Sequence, residues 1–161
     1  MPNPIRAYDT GFVASDAEID FRRARRRQTW SHLLGRLHRA QCDGLLCTMD
    51  RGADGTTRSL GLQPIDIDSI VGSVARRADF DREFRPGRTV DGRRWERLNR
   101  AMRSGEQIPP ITVYRVAGRH YVHDGHHRVS VARALGISVI DAYVMEVRTA
   151  APAPEPVPSA A

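Results

Sequence analysis

Apolar positions recur along the chain with the two periods that mark strands and helices. Ile111-Thr-Val-Tyr-Arg-Val116 alternates apolar and polar residues, as a half-buried strand does. Ala117-Gly118 offers a turn, and His120-Tyr-Val-His123 resumes the extended pattern. Val129-Ser-Val-Ala-Arg-Ala-Leu135 then reads as a short helix, with Gly136 placed as its C′ glycine. Trp95, Leu98 and Met102 share one face of a second amphipathic helix over 93–103, stopped by Gly105. Near the N-terminus, Ser15-Asp-Ala-Glu18 matches a capping box and predicts a helix from about residue 15 to residue 39. Its second half carries the stripe Trp30, Leu33, Leu34 and Leu37. Followed backwards, that stripe meets Arg26 and Arg23. The helix is therefore expected to pack through its C-terminal half and leave its arginine end in water or on a ligand.

Between these elements the punctuation divides the chain. Met1 to Ala14 has no period and is expected to fray. Asp50 to Gly61, rich in Gly, Thr, Asp and Ser, reads as a linker, so 1–60 forms an N-terminal extension ahead of a core domain over 61–148. Pro86 to Gly92 reads as an exposed loop. Residues 149–161 are a proline-alanine tail that cannot build a core and is expected to be disordered. No internal repeat is present. Strand and helix patterns in one modest chain of 161 residues imply a small α/β (α+β) domain with appendages.

The chemistry concentrates at Asp124-Gly125-His126-His127-Arg128, where the strand pattern gives way to the helix pattern. A glycine lets the backbone turn sharply there and leaves room for a ligand. A helix start presents unpaired N–H groups and the positive end of its dipole, which attract an anion. Arg128 adds a planar fork of donors suited to phosphate oxygens. The corner is a phosphate-site candidate. The alternative is a structural turn in which Arg128 pairs with a carboxylate.

Charge changes this picture in one place. The formal net charge is +6, and every basic side chain is arginine. Arg22, Arg23, Arg25, Arg26 and Arg27 lie within six positions; without them the 25 basic residues become 20, against 19 acidic ones. The excess is local and marks a candidate surface for nonspecific DNA contact, because guanidinium groups release counterions from a phosphate backbone. A solvated helix face is the plainer alternative. No apolar run approaches the ~20 residues that span a bilayer, and the opening residues do not resemble a signal peptide. A cytoplasmic protein without membrane contact is expected. Cys42 and Cys47 sit in a loop-like segment without zinc spacing, so reduced thiols are expected.

His120, His123, His126 and His127 raise the question of a metal. Strand alternation sends His120 and His123 to opposite faces, and no zinc spacing is present, so no metal site is assigned. Asp79, Asp81 and Glu106 are acidic candidates from elsewhere in the chain, and Asp124 is the one nearest the corner. It either holds magnesium against phosphate oxygens or, the favoured reading, caps the following helix. With His127 it forms the candidate catalytic pair.

Pro109-Pro-Ile-Thr-Val-Tyr, Tyr121-Val-His-Asp-Gly-His-His-Arg-Val-Ser-Val-Ala-Arg-Ala-Leu-Gly136 and Ile140-Asp-Ala-Tyr-Val-Met-Glu-Val147 together resemble the ParB/sulfiredoxin superfamily. Ile65-Asp-Ile-Asp-Ser-Ile70 and the following Ala75-Arg-Arg-Ala-Asp-Phe80 resemble the opening of the ParB amino-terminal domain, placing Arg76 or Arg77 near the phosphates. The resemblance implies a small mixed sheet with packed helices, preceded here by the basic helix. It also implies nucleotide binding through Gly125, His126, His127 and Arg128, with CTP or ATP and magnesium as the ligand. ParB proteins carry Gly-Glu-Arg-Arg at this corner, the glutamate supporting CTP hydrolysis, and here His126 stands in its place. Sulfiredoxins carry Gly-Cys-His-Arg, and His126 replaces their nucleophilic cysteine, so sulfinic-acid reduction by that route is not expected. The helix-turn-helix region that follows this domain in ParB proteins is not expected within these residues, and neither is recognition of a specific DNA site in the ParB manner.

These readings lead to a nucleotide-binding ParB-like domain, DNA-associated and ligand-controlled, of the kind used in chromosome partitioning. The alternative is a magnesium-dependent phosphotransferase or nuclease of the same superfamily. Phosphate contacts carry no base information, so the nucleotide is left open, as is the oligomeric state.

Overall fold

The computed structural model of the chain describes residues 11–35, 47–48, 56–74 and 79–148. In chain order the elements are α1 (Val13–Gly35), β1 (Cys47–Thr48), β2 (Thr56–Asp66), a 3-10 turn (Ile67–Ser69), β3 (Ile70–Ser73), α2 (Gly92–Arg103), β4 (Ile111–Val116), β5 (Arg119–Asp124), α3 (His126–Leu135) and β6 (Val139–Arg148). The alternating run of β4 buries Ile111 and Val113 completely, and β5 pairs with it antiparallel, Val113 opposite Val122. The two-residue connection requires positive φ at both positions, and Ala117 (φ 48°) and Gly118 (φ 78°) supply it. On the other side β6 runs parallel to β4, placing buried Ala142 and Val144 beside Ile111 and Val113. The sheet is mixed, with six strands in the order β1-β3-β5-β4-β6-β2.

Two expectations about the first third of the chain are corrected. The linker expected over 50–61 is already strand from Thr56, and β2 pairs antiparallel with β6 from Thr56–Arg148 to Asp66–Val139. Its Gly and Thr content concealed a strand whose partner lies at the far end of the sequence. Helix α1 begins at Val13, before the expected Ser15 cap, and packs through its N-terminal half. Ala17 and Phe21 are buried there, and Phe21 meets Trp95 of α2 with ring centroids 5.4 Å apart. The helix-facing residues of α1 also include Asp16 (1% exposed) and Asp20 (4%), held by Arg103 of α2. Arg103 donates to Asp20 Oδ2 at 2.5 Å and to Asn99 Oδ1 at 3.0 Å, and its Nη1 lies 4.0 Å from Asp16 Oδ2. The stripe side chains from Trp30 to Leu37 lie outside the described residues.

Helix α2 follows its predicted face. Trp95 is fully buried and donates through Nε1 to Ser130 Oγ of α3 at 2.9 Å, tying the two helices together. Asp91 caps α2, and Gly105 (φ 72°) follows its end. The preceding loop is less exposed than its composition predicts, since Pro86, Gly87 and Val90 are buried. Cys47 lies in β1 rather than in a loop, and Cys42 lies outside the described residues.

Candidate functional site

Strand β5 ends at Asp124, Gly125 turns the chain with φ 104°, and α3 begins at His126. Glycine is needed there for two reasons. That φ is strained for an L side chain. A Cβ would also overlap Ile111 Cγ2 and lie 2.8 Å from Ile111 Cβ. The space beside Gly125 is thus taken up by the core strand, not reserved for a ligand. The helix start itself carries no side-chain cap, and the first backbone bond here is Val129 N–H to the Gly125 carbonyl at 3.0 Å. The N–H groups of residues 126–128 precede that bond, the arrangement that suits an anion.

The favoured reading of Asp124 as the cap is corrected. Its carboxylate accepts from Arg128 Nη2 at 2.6 Å, and the N-cap residue is Gly125. Arg128 also donates through Nη1 to the carbonyls of Pro109 (2.8 Å) and Pro110 (2.6 Å), at the entry to β4. The guanidinium therefore clamps three segments at the corner. Asp124 remains 68% exposed at the side chain, whereas Arg128 is 15% exposed.

The four histidines are dispersed. His126 turns inward, 4% exposed, with Nε2 2.5 Å from Ser73 Oγ and its ring among Phe80 (6.1 Å) and Phe84 (6.3 Å). Its side chain belongs to the core and is not presented at the helix start as a phosphate ligand, the role expected for it. His127 sets its ring edge-on to Phe80 at 5.3 Å. His120 Nδ1 lies 2.8 Å from Ser69 Oγ, and burial together with Arg115 lowers its pKa below the ordinary histidine value. His123 packs on Tyr114. Among the described residues no three His, Cys, Asp or Glu side chains converge as a metal-ligand set.

Arg76 and Arg77 lie outside the described residues. The arginine run of α1 splits around the helix. Arg22 pairs with Glu18, Arg22 and Arg26 are exposed, and Arg23 and Arg27 line a cavity at the other end of α3 from the corner. Arg25 is half-buried. No helix among the described residues is long and apolar enough to cross a membrane.

Asp81, an acidic candidate from outside the corner, is a buried loop residue. It is 3% exposed and ties its loop by accepting from the backbone N–H groups of Glu83 (2.9 Å) and Arg85 (2.8 Å). Burial raises its pKa above the usual carboxylate value. Asp81-Arg-Glu followed by Phe84 at φ 57° gave only a weak local signal, an Asp two residues before backbone donors.

A mixed sheet with a glycine corner leading into a helix that has no side-chain cap at its start defines an α+β domain. Residues 56–153 match the ParB N-terminal domain family, and the chain belongs to that family. Among solved structures it is similar to sulfiredoxin from Arabidopsis thaliana, with 22% identity and a TM-score of 0.41 over 52% of this chain and 82% of that one. It is also similar to a Pnob8-like ParB-N domain, with 17% identity and a TM-score of 0.38 over 59% of this chain. The match spans 32% of that second protein's chain. No curated protein matches the sequence.

Proposed function

We propose that this chain is a nucleotide-binding ParB-like module that holds its ligand's phosphates at the N-terminus of α3. The observation that carries the reading is the helix start at Gly125, which has no side-chain cap, in a member of the ParB N-terminal domain family. Backbone N–H groups of residues 126–128 would take the phosphate oxygens, with His127 beside them. Arg128 supports the corner's shape as much as its charge, since its fork already engages Asp124 and two proline carbonyls. CTP or ATP with magnesium is the ligand class. Asp124 would receive the magnesium only by sharing its carboxylate with Arg128.

Association with DNA, controlled by the nucleotide, is the second part of this proposal. It rests on the exposed Arg22 and Arg26 of α1 and would be nonspecific and steeply salt-dependent. The enzyme alternative, with Asp124 and His127 as catalytic groups, has less support, because Asp124 is engaged by Arg128 and His127 packs on Phe80.

The test is calorimetric titration with CTP and with ATP in magnesium. Arg128→Ala should weaken binding about tenfold or more, the order of a lost charge-assisted contact. Asp124→Asn removes a negative charge from the anion position and should tighten binding severalfold. An affinity unchanged in both variants refutes the corner as the phosphate site. Weaker binding in Asp124→Asn, with product formed by the parent protein, would favour the magnesium-dependent enzyme instead.

A further inference from the structure

Helix α3 spans 10 residues, so its two ends lie ~15 Å apart. At its C-terminal end a cavity of about 360 Å³ opens between α1, the 3-10 turn, the loop through Phe84 and the start of β6's approach. That volume falls within the range of small-molecule sites, ~300–1,000 Å³. We propose that this cavity binds a phosphate monoester carried on a small apolar body, at a site separate from the Gly125 corner.

The argument is one of charge and shape. Four arginines line the cavity (Arg23, Arg27, Arg85 and Arg133), against three carboxylates (Asp20, Asp68 and Glu83). Glu83 pairs with Arg85, and Asp20 is held by Arg103 from outside the cavity. Arg23 and Arg27 therefore stand as the unpaired cations of the lining, beside Arg133, whose charge is met in part by Asp68, Glu83 and Asp81. Neither Arg23 nor Arg27 has an ion pair among the described residues. A phosphate monoester carries about −1.5 to −2 charge near pH 7 and offers acceptor oxygens that the planar forks of two arginines can engage together.

Arg133 is fixed before any ligand arrives. Its Nη2 donates to the carbonyls of Ile70 (2.8 Å) and Ile67 (3.2 Å), and its guanidinium lies 5.2 Å from the Phe84 ring centroid. A cation held in a partly dry setting attracts an anion more strongly than a solvated one. The negative end of α3 is blunted, because the Gly136 and Ile137 N–H groups cover the carbonyls of Arg133 and Ala132. Ile67, Phe84 and Ile137 supply apolar wall for the ligand's body.

Phenyl phosphate is the probe, titrated into the ¹⁵N-labelled full chain and followed by amide shifts. Saturable shifts are expected at residues 20–27, 83–85 and 130–138. The double variant Arg23→Gln, Arg27→Gln alters two surface positions and should weaken binding at least tenfold while the spectrum stays folded. Inorganic phosphate and phenol, each carrying half of the ligand's chemistry, should bind at least tenfold more weakly. The assignment is overturned by any of four results: no saturable shift, shifts confined to residues 124–128, an unchanged affinity in the double variant, or equal binding of phosphate or phenol. Nucleotide binding at the corner can fail without touching this outcome.

Discussion

Replacing Arg103 with alanine tests how α1 is fastened to the domain. The substitution removes the cation from between Asp20 (4% exposed) and Asp16 (1%) and leaves Asn99, fully buried, without its Nε donor. Breaking a buried pair by deleting one partner costs about 3–5 kcal/mol, because an uncompensated charge stays in a poorly solvated place. An exposed pair such as Arg22–Glu18 is worth ~0–1 kcal/mol, so Arg22→Ala serves as the control. Whole-domain stabilities run ~5–15 kcal/mol, so the first loss would be a large fraction of the total and the second hardly visible. Urea unfolding followed by tryptophan fluorescence reads both, Trp95 lying against Phe21 of the same helix pair. With a urea slope of about 1–3 kcal/mol per molar, Arg103→Ala should lower the midpoint by at least ~1 M. The triple variant Asp16→Asn, Asp20→Asn, Arg103→Met should recover most of the loss. A loss below ~1 kcal/mol in Arg103→Ala would show that the carboxylates are solvated and that α1 does not dock through its N-terminal half.

Two further outcomes follow from single residues. Gly125→Ala places a Cβ against Ile111 and keeps a left-handed φ, and should cost about 2–4 kcal/mol by thermal or urea unfolding; a loss under ~0.5 kcal/mol would mean the corner relaxes freely. His120 has its folded pKa lowered from 6.5, first by burial and then by Arg115, so the unfolded chain binds its proton more readily. Stability should therefore fall as pH drops below 6.5 toward the lowered value, and His120→Gln should flatten that slope; an identical slope in the variant refutes the assignment.

The parts of the fold that were legible in the sequence are those whose pattern is local. The β4–β5 hairpin, α3 and the Trp95 face of α2 follow from alternation, helical spacing and glycine placement within a few residues. Strand β2 was not legible, because its order comes from pairing with β6, some eighty residues on, against a local composition that favours loops. The docking of α1 was hidden for a different reason. Asp16 and Asp20 count as solvent-facing in any periodicity, and only Arg103, far along the chain, makes them interior. At the corner, the glycine and the helix start were readable. The inward turn of His126 was not, since it depends on Ser73, Phe80 and Phe84 from other segments.

The strand order has a consequence for how this chain is made. Strands β2 and β4 both pair with β6, the last element described, and Thr56 finds its partner only at Arg148. During synthesis β2 must wait, exposed, until the ribosome has released nearly the whole domain. Its ladder then closes over a long loop, which slows assembly relative to the β4–β5 hairpin. A nascent chain stalled before residue 139 would present two unsatisfied strand edges, the state most open to chaperones and to self-association.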